Sequence, residues 1–194
     1  MTAPDGYTDL PAGKIAAVVT YLEMRRAPAL RAEPSPYAIE RVSRIDPARY
    51  RALFRRVGEN WLWFSRLRMT DDELCAVIHH PQVDVFVMGE DEGVLELDRR
   101  RFPEIELAFF GVIPAWIGKG AGRALMAFAL REAWRHKPSV LTVHTCTLDH
   151  PRALEFYVKS GFVPVKRAIE VSDDPRLTGD LPRDAAPWFP RIGP

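Results

Sequence analysis

The chain has 194 residues, 47% apolar and 27% charged, the proportions of a globular domain with a real core and not of a disordered segment. Lys and Arg number 27 against 26 acidic residues, so no global field draws the chain to nucleic acid or an anionic membrane, and any charged partner must be recognised locally. No apolar run reaches the roughly 20 residues that cross a bilayer. Met1 to Leu10 lacks a basic-then-apolar leader, and Cys75 and Cys146 make no disulfide framework; both features suit a cytoplasmic location.

Lys14 to Met24, rich in Ile, Val, Thr and Tyr, predicts a strand, and Pro28, Pro34 and Pro36 after it suggest an edge position followed by a linker. A second strand is expected over Tyr37 to Ile45. Asp46 then offers an N-cap with Pro47 behind it, predicting a helix to Val57 that buries Tyr50, Leu53, Phe54 and Val57 and stops at Gly58. Glu59 to Arg68 reads as an irregular join carrying Trp61, Trp63 and Phe64. Thr70-Asp-Asp-Glu73 is a capping-box pattern that opens a helix to about His79. Val83–Met88 and Val94–Asp98 flank an acidic turn bounded by glycines and form a hairpin, and a third strand runs from Glu104 to Ile113.

Next come Gly118, Gly120 and Gly122, alternating, and then an apolar helical face from Arg123 to His136. Strand, glycine loop and helix in that order form an anion site, because the backbone approaches closely there and the helix N-terminal amides are free. Val140 to Thr147 is a strand reached by a parallel crossover, and a helix follows from Asp149 or His150 to Gly161. Phe162 to Val171 is the last strand. The domain division is thus an N-terminal extension (1–36), a central domain (37–172) and a proline-rich tail (173–194) anchored through Trp188 and Phe189.

This order of elements, together with two motifs, resembles the GNAT N-acetyltransferase superfamily. Ile117-Gly118-Lys119-Gly120-Ala121-Gly122 aligns with the family's Gln/Arg-x-x-Gly-x-Gly/Ala loop, with Ile117 in place of the usual polar residue. His150-Pro-Arg-Ala153-Leu-Glu-Phe-Tyr157-Val-Lys-Ser-Gly161-Phe162 aligns with Asn-x-x-Ala-x-x-x-Tyr-x-x-x-Gly-Phe, His150 replacing the Asn. The resemblance implies an α/β (α+β) fold: a mixed, mostly antiparallel central sheet flanked by helices, with the glycine loop after the fourth core strand. It also implies acetyl-CoA as cosubstrate, without a metal. Cofactor contacts fall to Phe110, Gly111, Val112 and Ile113 on the strand, to Ile117 through Arg123 (Gly118, Lys119, Gly120, Ala121, Gly122), and to His150 and Ala153.

A primary amine with a pKa near 10 is protonated about a thousandfold over its free base at neutral pH, a deficit of roughly 4 kcal/mol, so a proton acceptor is valuable. By resemblance Glu106 is that base, on a strand face with Ala108, Phe110 and Val112, and Tyr157 is the acid that protonates the departing thiolate. Gly111 is read as marking a bulge that exposes the strand edge for carbonyl polarisation. Trp61, Trp63, Glu104 and His144 are candidates for the acceptor side. The function expected is acetyl transfer to a small-molecule or peptide amine, with a weakly catalytic acyl-CoA sensor as the alternative. No nucleic acid or membrane partner is expected, and exposed edge strands are compatible with a homodimer.

Overall fold

The computed structural model describes residues 5–29 and 35–193. Its strands β1 (Lys14–Met24), β2 (Ile39–Arg41), β3 (Val83–Met88), β4 (Gly93–Asp98), β5 (Glu104–Val112), β6 (Val140–Cys146) and β7 (Val163–Asp173) form one sheet in the order β2-β3-β4-β5-β6-β1-β7. Every neighbouring pair is antiparallel except β5 and β6. This is the mixed, mostly antiparallel sheet the sequence predicts.

Helices α1 (Pro47–Gly58) and α2 (Asp71–Ile78) cover one face, and α3 (Ala121–Arg135) and α4 (Ala153–Lys159) the other. The start signals act as read: Asp46 accepts the Arg49 amide at 2.9 Å, and Thr70 and Glu73 close a capping box. Tyr50, Leu53, Phe54 and Val57 are buried against Val85, Val87 and Val94. On the opposite face Leu125, Met126, Ala129 and Ala133 pack on Leu95, Leu97, Ile105 and Leu107. α3 begins at Ala121, two residues before the expected start, because Gly120 in the left-handed region supplies the turn directly. β2 is shorter than predicted, and Arg44 at φ 54 turns the chain towards α1.

The position of β1 differs from the expectation. It is an interior strand, with Val19 opposite Cys146 on one side and Ala168 on the other. It is buried on both faces, Ile15, Ala17 and Val19 to one side and Leu22 and Met24 to the other, which is the pattern of an interior strand. The prolines that suggested an edge come after its last residue and leave its ladder intact. The linker expected before residue 36 falls partly outside the described residues.

Two departures from regularity on β5 shape the domain. Its parallel pairing with β6 spans only Glu104–Glu106 against Val140–Thr142, although β5 continues to Val112 and β6 to Cys146, so the strands splay apart beyond Glu106. Its pairing with β4 steps from Leu97↔Leu107 to Glu96↔Phe109, leaving Ala108 as a bulge. The bulge therefore lies at Ala108 and not at Gly111. Gly111 is instead a close-packing position, since a Cβ there would sit 2.5 Å from Val57 Cγ1 and 3.2 Å from the Trp63 ring.

The tail carries a short helix, α5 (Pro175–Thr178), that the sequence reading did not include. Its Arg176, 4% exposed, pairs with Asp174 at 2.7 Å and donates to the carbonyls of Ala185, Ala186, Phe189 and Pro190. As expected, Phe189 packs in the core there, while Trp188 donates its indole N–H to Asn60 O at 2.9 Å. Removing one partner of a buried pair leaves the other charge uncompensated. Arg176→Ala should lower unfolding free energy by about 3–5 kcal/mol in urea titration; a loss below about 1 kcal/mol would show that the tail is held by its apolar contacts alone.

Candidate active site

The splay of β5 from β6 opens a cleft of about 910 Å³. One wall is the far half of β5 and the join between α1 and α2. The other is the end of β6, the loop after it and the start of α4. The bulge makes β5 serve both lobes: Glu106 and Phe109 share the face covered by α1, while Phe110 and Val112 turn to the face of α3. The expected single face for Glu106, Phe110 and Val112 does not form, because one extra residue reverses the alternation.

At one end of the cleft, Gly118 and Gly120 have φ of 82° and 89°, and a Cβ on Gly118 would meet nothing within 4 Å. Gly120 caps α3 with no side-chain hydrogen bond, so no cap side chain occupies its first-turn amides. Such a turn is a cradle for an anion. Ile117, Gly118, Gly120, Gly122, Arg123, Ala153, Phe110, Gly111 and Val112 line this lobe. Lys119, Ala121 and Ile113 do not line it. Lys119 lies over the Trp116 ring at 5.4 Å and its carbonyl accepts the Tyr37 hydroxyl, Ala121 is fully buried, and Ile113 packs on the α1 side. Arg152, which the motif reading did not single out, adds a cation near the start of α4.

Tyr157 lies on the cleft floor, packed against Phe110, Phe156 and Phe162. Burial raises its pKa, and Asp149 adds to the rise, so it is a neutral hydroxyl that keeps its proton at neutral pH. His150 has a definite role in place of the usual Asn. Its Nδ1 accepts the Arg152 amide at 3.1 Å and its ring meets Trp61 edge-on at 5.1 Å. Burial, with Arg152, lowers its pKa, which suits the acceptor role of that nitrogen.

The other lobe centres on Glu106, at the point of splay. Its Oε1 lies 3.4 Å from His144 Nδ1 and its Oε2 3.1 Å from Arg101. The hydrogen bond from His144 holds Glu106 below the usual carboxylate range against the opposing effect of burial. The same bond raises His144 above the usual imidazole value by more than burial lowers it. The two side chains thus form a hydrogen-bonded carboxylate–imidazole pair in which the carboxylate favours a proton on the ring, and both also line a side pocket of about 560 Å³ with Tyr21, Asp98, Arg100 and Arg101. Glu104 is not part of this lobe; it pairs with Arg101 at 2.8 Å and takes the Thr142 hydroxyl.

Trp61 and Trp63 both line the cleft. Asp149, read from sequence only as a possible helix start, ties the walls together: it accepts the Trp63 indole N–H at 2.9 Å, the Thr145 hydroxyl at 2.7 Å and the Cys146 amide at 2.9 Å. Behind the opposite wall the fully buried Glu96 takes the Tyr50 hydroxyl and the Arg66 guanidinium, each at 2.5 Å, and Arg66 lies over the Phe109 ring. Burial pushes the Cys146 thiol up to about 11, so it is no ready nucleophile. Among the described residues no metal-binding group of His, Cys, Asp and Glu comes together.

One cleft thus contains the splay of the sheet, the glycine turn before α3, the Glu106–His144 pair and the Tyr157 hydroxyl. Residues 79–164 match the family model described as acetyltransferase (GNAT) domain, the superfamily that the two motifs resemble. The sequence matches no curated protein. Among solved structures, a GCN5-related N-acetyltransferase from Sphaerobacter thermophilus is 12% identical with a TM-score of 0.57, over 81% of this chain and 51% of that one. One from Kribbella flavida is 14% identical with a TM-score of 0.54, over 86% of this chain and 63% of that one. An aminoglycoside acetyltransferase from an uncultured soil metagenomic sample is 18% identical with a TM-score of 0.53, over 64% of this chain and 87% of that one. The chain therefore spans between half and two thirds of the first two proteins' lengths, and the likeness is one of fold.

The dyad gives a direct physical test. Removing the carboxylate takes away what holds His144 protonated, while the burial that disfavours its charge remains. NMR titration should find the His144 imidazole above its ordinary value of about 6.5 in the wild type and clearly lower in Glu106→Gln. An unchanged midpoint would mean that the two groups do not interact in solution.

Proposed function

We propose that this chain is an N-acyltransferase that moves an acetyl group from acetyl-CoA directly to the primary amine of a small molecule or peptide. The observation that carries the reading is that one cleft contains the open glycine turn, the Tyr157 hydroxyl and the Glu106–His144 pair. The glycine turn and first α3 amides, with Arg123 and Arg152, would hold the pyrophosphate, and Phe110 to Val112 the pantetheine arm beside β5. Bound there, the thioester supplies an activated acyl group.

The residues of this chain supply the proton steps. Glu106 and His144 together accept the proton of the attacking amine, the imidazole as the acceptor and the carboxylate as the group that raises its affinity for a proton. Tyr157 donates its proton to the departing sulfur. The high thiol pKa of Cys146 argues against a covalent route through it. On the acceptor side Trp61, Trp63, Phe64 and Phe109 give apolar and aromatic wall, and Asp149 and Glu170 are carboxylates that form no salt bridge with Lys or Arg among the described residues. That combination favours an acceptor with an apolar body and a cationic amine.

Calorimetry with acetyl-CoA followed by thiol release over a panel of amines tests the reading. Amine-dependent thiol release is expected; tight binding with no release over the panel would make the domain an acyl-CoA sensor instead. Tyr157→Phe should lower kcat by about a hundredfold to ten-thousandfold without abolishing cosubstrate binding. An unchanged kcat would remove Tyr157 from the mechanism. In the wild type kcat/KM should rise with pH through the raised pKa of His144. In Glu106→Gln that ascending limb should move to lower pH while the plateau falls.

A further inference from the structure

Strand β7 is the one long element whose surface the rest of the described chain leaves uncovered. It runs eleven residues along the edge of the sheet, and none of its positions is buried. Val163, Ile169 and Val171 are 62%, 63% and 54% exposed, and Val18, which β1 sets opposite Ile169, is 41% exposed. An edge strand also points alternate N–H and C=O groups outward with no ladder to satisfy them. Lys166, Arg167 and Glu170 interrupt the apolar run, and their order decides what the edge accepts.

We propose that β7 is a homodimer interface, in which two copies pair edge to edge and antiparallel about a two-fold axis through Ala168. In that register residues whose numbers sum to 336 stand opposite one another. Lys166 then faces the second copy's Glu170, and Glu170 faces its Lys166, so both cross-strand charge pairs are attractive. Arg167 lies opposite Ile169, and the two Ile169 side chains become diagonal neighbours across the axis. Together with Val18 of each copy they close an apolar row on the face that carries Leu22 and Met24. Moving the axis to Ile169 would set Lys166 against Ser172 and Glu170 against Ala168, losing both ion pairs, and an axis at Arg167 loses them too. Against a shift of one residue either way, the self-complementarity belongs to the Ala168 register. The bulge at Val165, where the β1 partner steps from Lys166 to Pro164, ends the ladder on each side.

The interface also reaches the cleft. Lys166 lies on the face of Tyr21, 5.2 Å above its ring, and Glu170 lines the cleft wall and bears on His144. In the dimer a lysine from the second copy would stand beside Glu170 and set the charge at that wall.

Light scattering during gel filtration tests the pairing independently of any activity. The wild type should have twice the 22.0 kDa mass of the chain. Lys166→Glu and Glu170→Lys each convert both attractive pairs into repulsive ones and should weaken dimerisation by about tenfold or more, while the double exchange should restore it. Ala168→Cys should also form a disulfide-linked dimer under oxidised glutathione, since residues opposed across a two-fold axis lie at about 4.5–5.5 Å between Cα atoms; this readout stands if a charge variant fails to fold. A monomeric wild type, a dimer indifferent to both single exchanges, or an Ala168→Cys protein that does not cross-link would each overturn the proposal.

Discussion

A single unpaired residue, Ala108, settles how this domain divides its labour. Alternation along a strand is strict, so an unbroken β5 would send Glu106, Phe110 and Val112 to one face. The bulge reverses the alternation between Leu107 and Phe109. Glu106 then meets the side of the sheet that carries α1, Trp63 and His144, while Phe110 meets α3, α4 and the glycine turn. The splay from β6 begins at the same place, so the face change happens beside an opening and not inside a packed sheet. Two small irregularities on one strand bring opposite chemistries to the two sides of one cleft.

The legible parts of the chain were those with local causes. Asp46-Pro47, the Thr70 box, the acidic hairpin turn and the alternating glycines each fix their own backbone, and the structure has them where the sequence put them. The position of β1 was not legible, because being an edge or an interior strand depends on partners more than a hundred residues away in β6 and β7, the nearest being Leu141 opposite Met24. The bulge was not legible either: alanine carries no conformational signal, and the glycine that appeared to mark the site, Gly111, is required for a different reason, the approach of Val57 and Trp63. Asp149 was hidden because its partners, Trp63 and Thr145, come from two separate walls.

The departures from the family motifs have physical explanations of different quality. His150 keeps what the loop needs, an acceptor for the Arg152 amide, and adds an aromatic contact to Trp61 that ties α4 to the join after α1. Ile117 offers no such substitute, and Lys119, the nearest cation in sequence, is engaged with Trp116. The proposed anion binding at this turn would therefore fall to backbone amides and to Arg123 and Arg152, which line the cleft. Backbone amides are already oriented in the folded chain and lose little freedom on binding, so an uncapped helix start needs fewer side chains to do the same work.

The near-zero net charge conceals a local imbalance that bears on the choice of acceptor. On the wall under α1 the charges are matched, Arg66 with Glu96 and Arg100 with Asp98. A matched pair presents little field to a molecule entering the cleft, and burying Glu96 with two partners removes it from solvent altogether. On the wall formed by β6 and β7, Asp149 and Glu170 have, among the described residues, only His144 to balance them, and only while the imidazole is protonated. A cationic amine of the kind proposed above would compete with the imidazolium for the same carboxylates. Its binding would thus favour loss of the His144 proton, the form a proton acceptor must have before transfer begins.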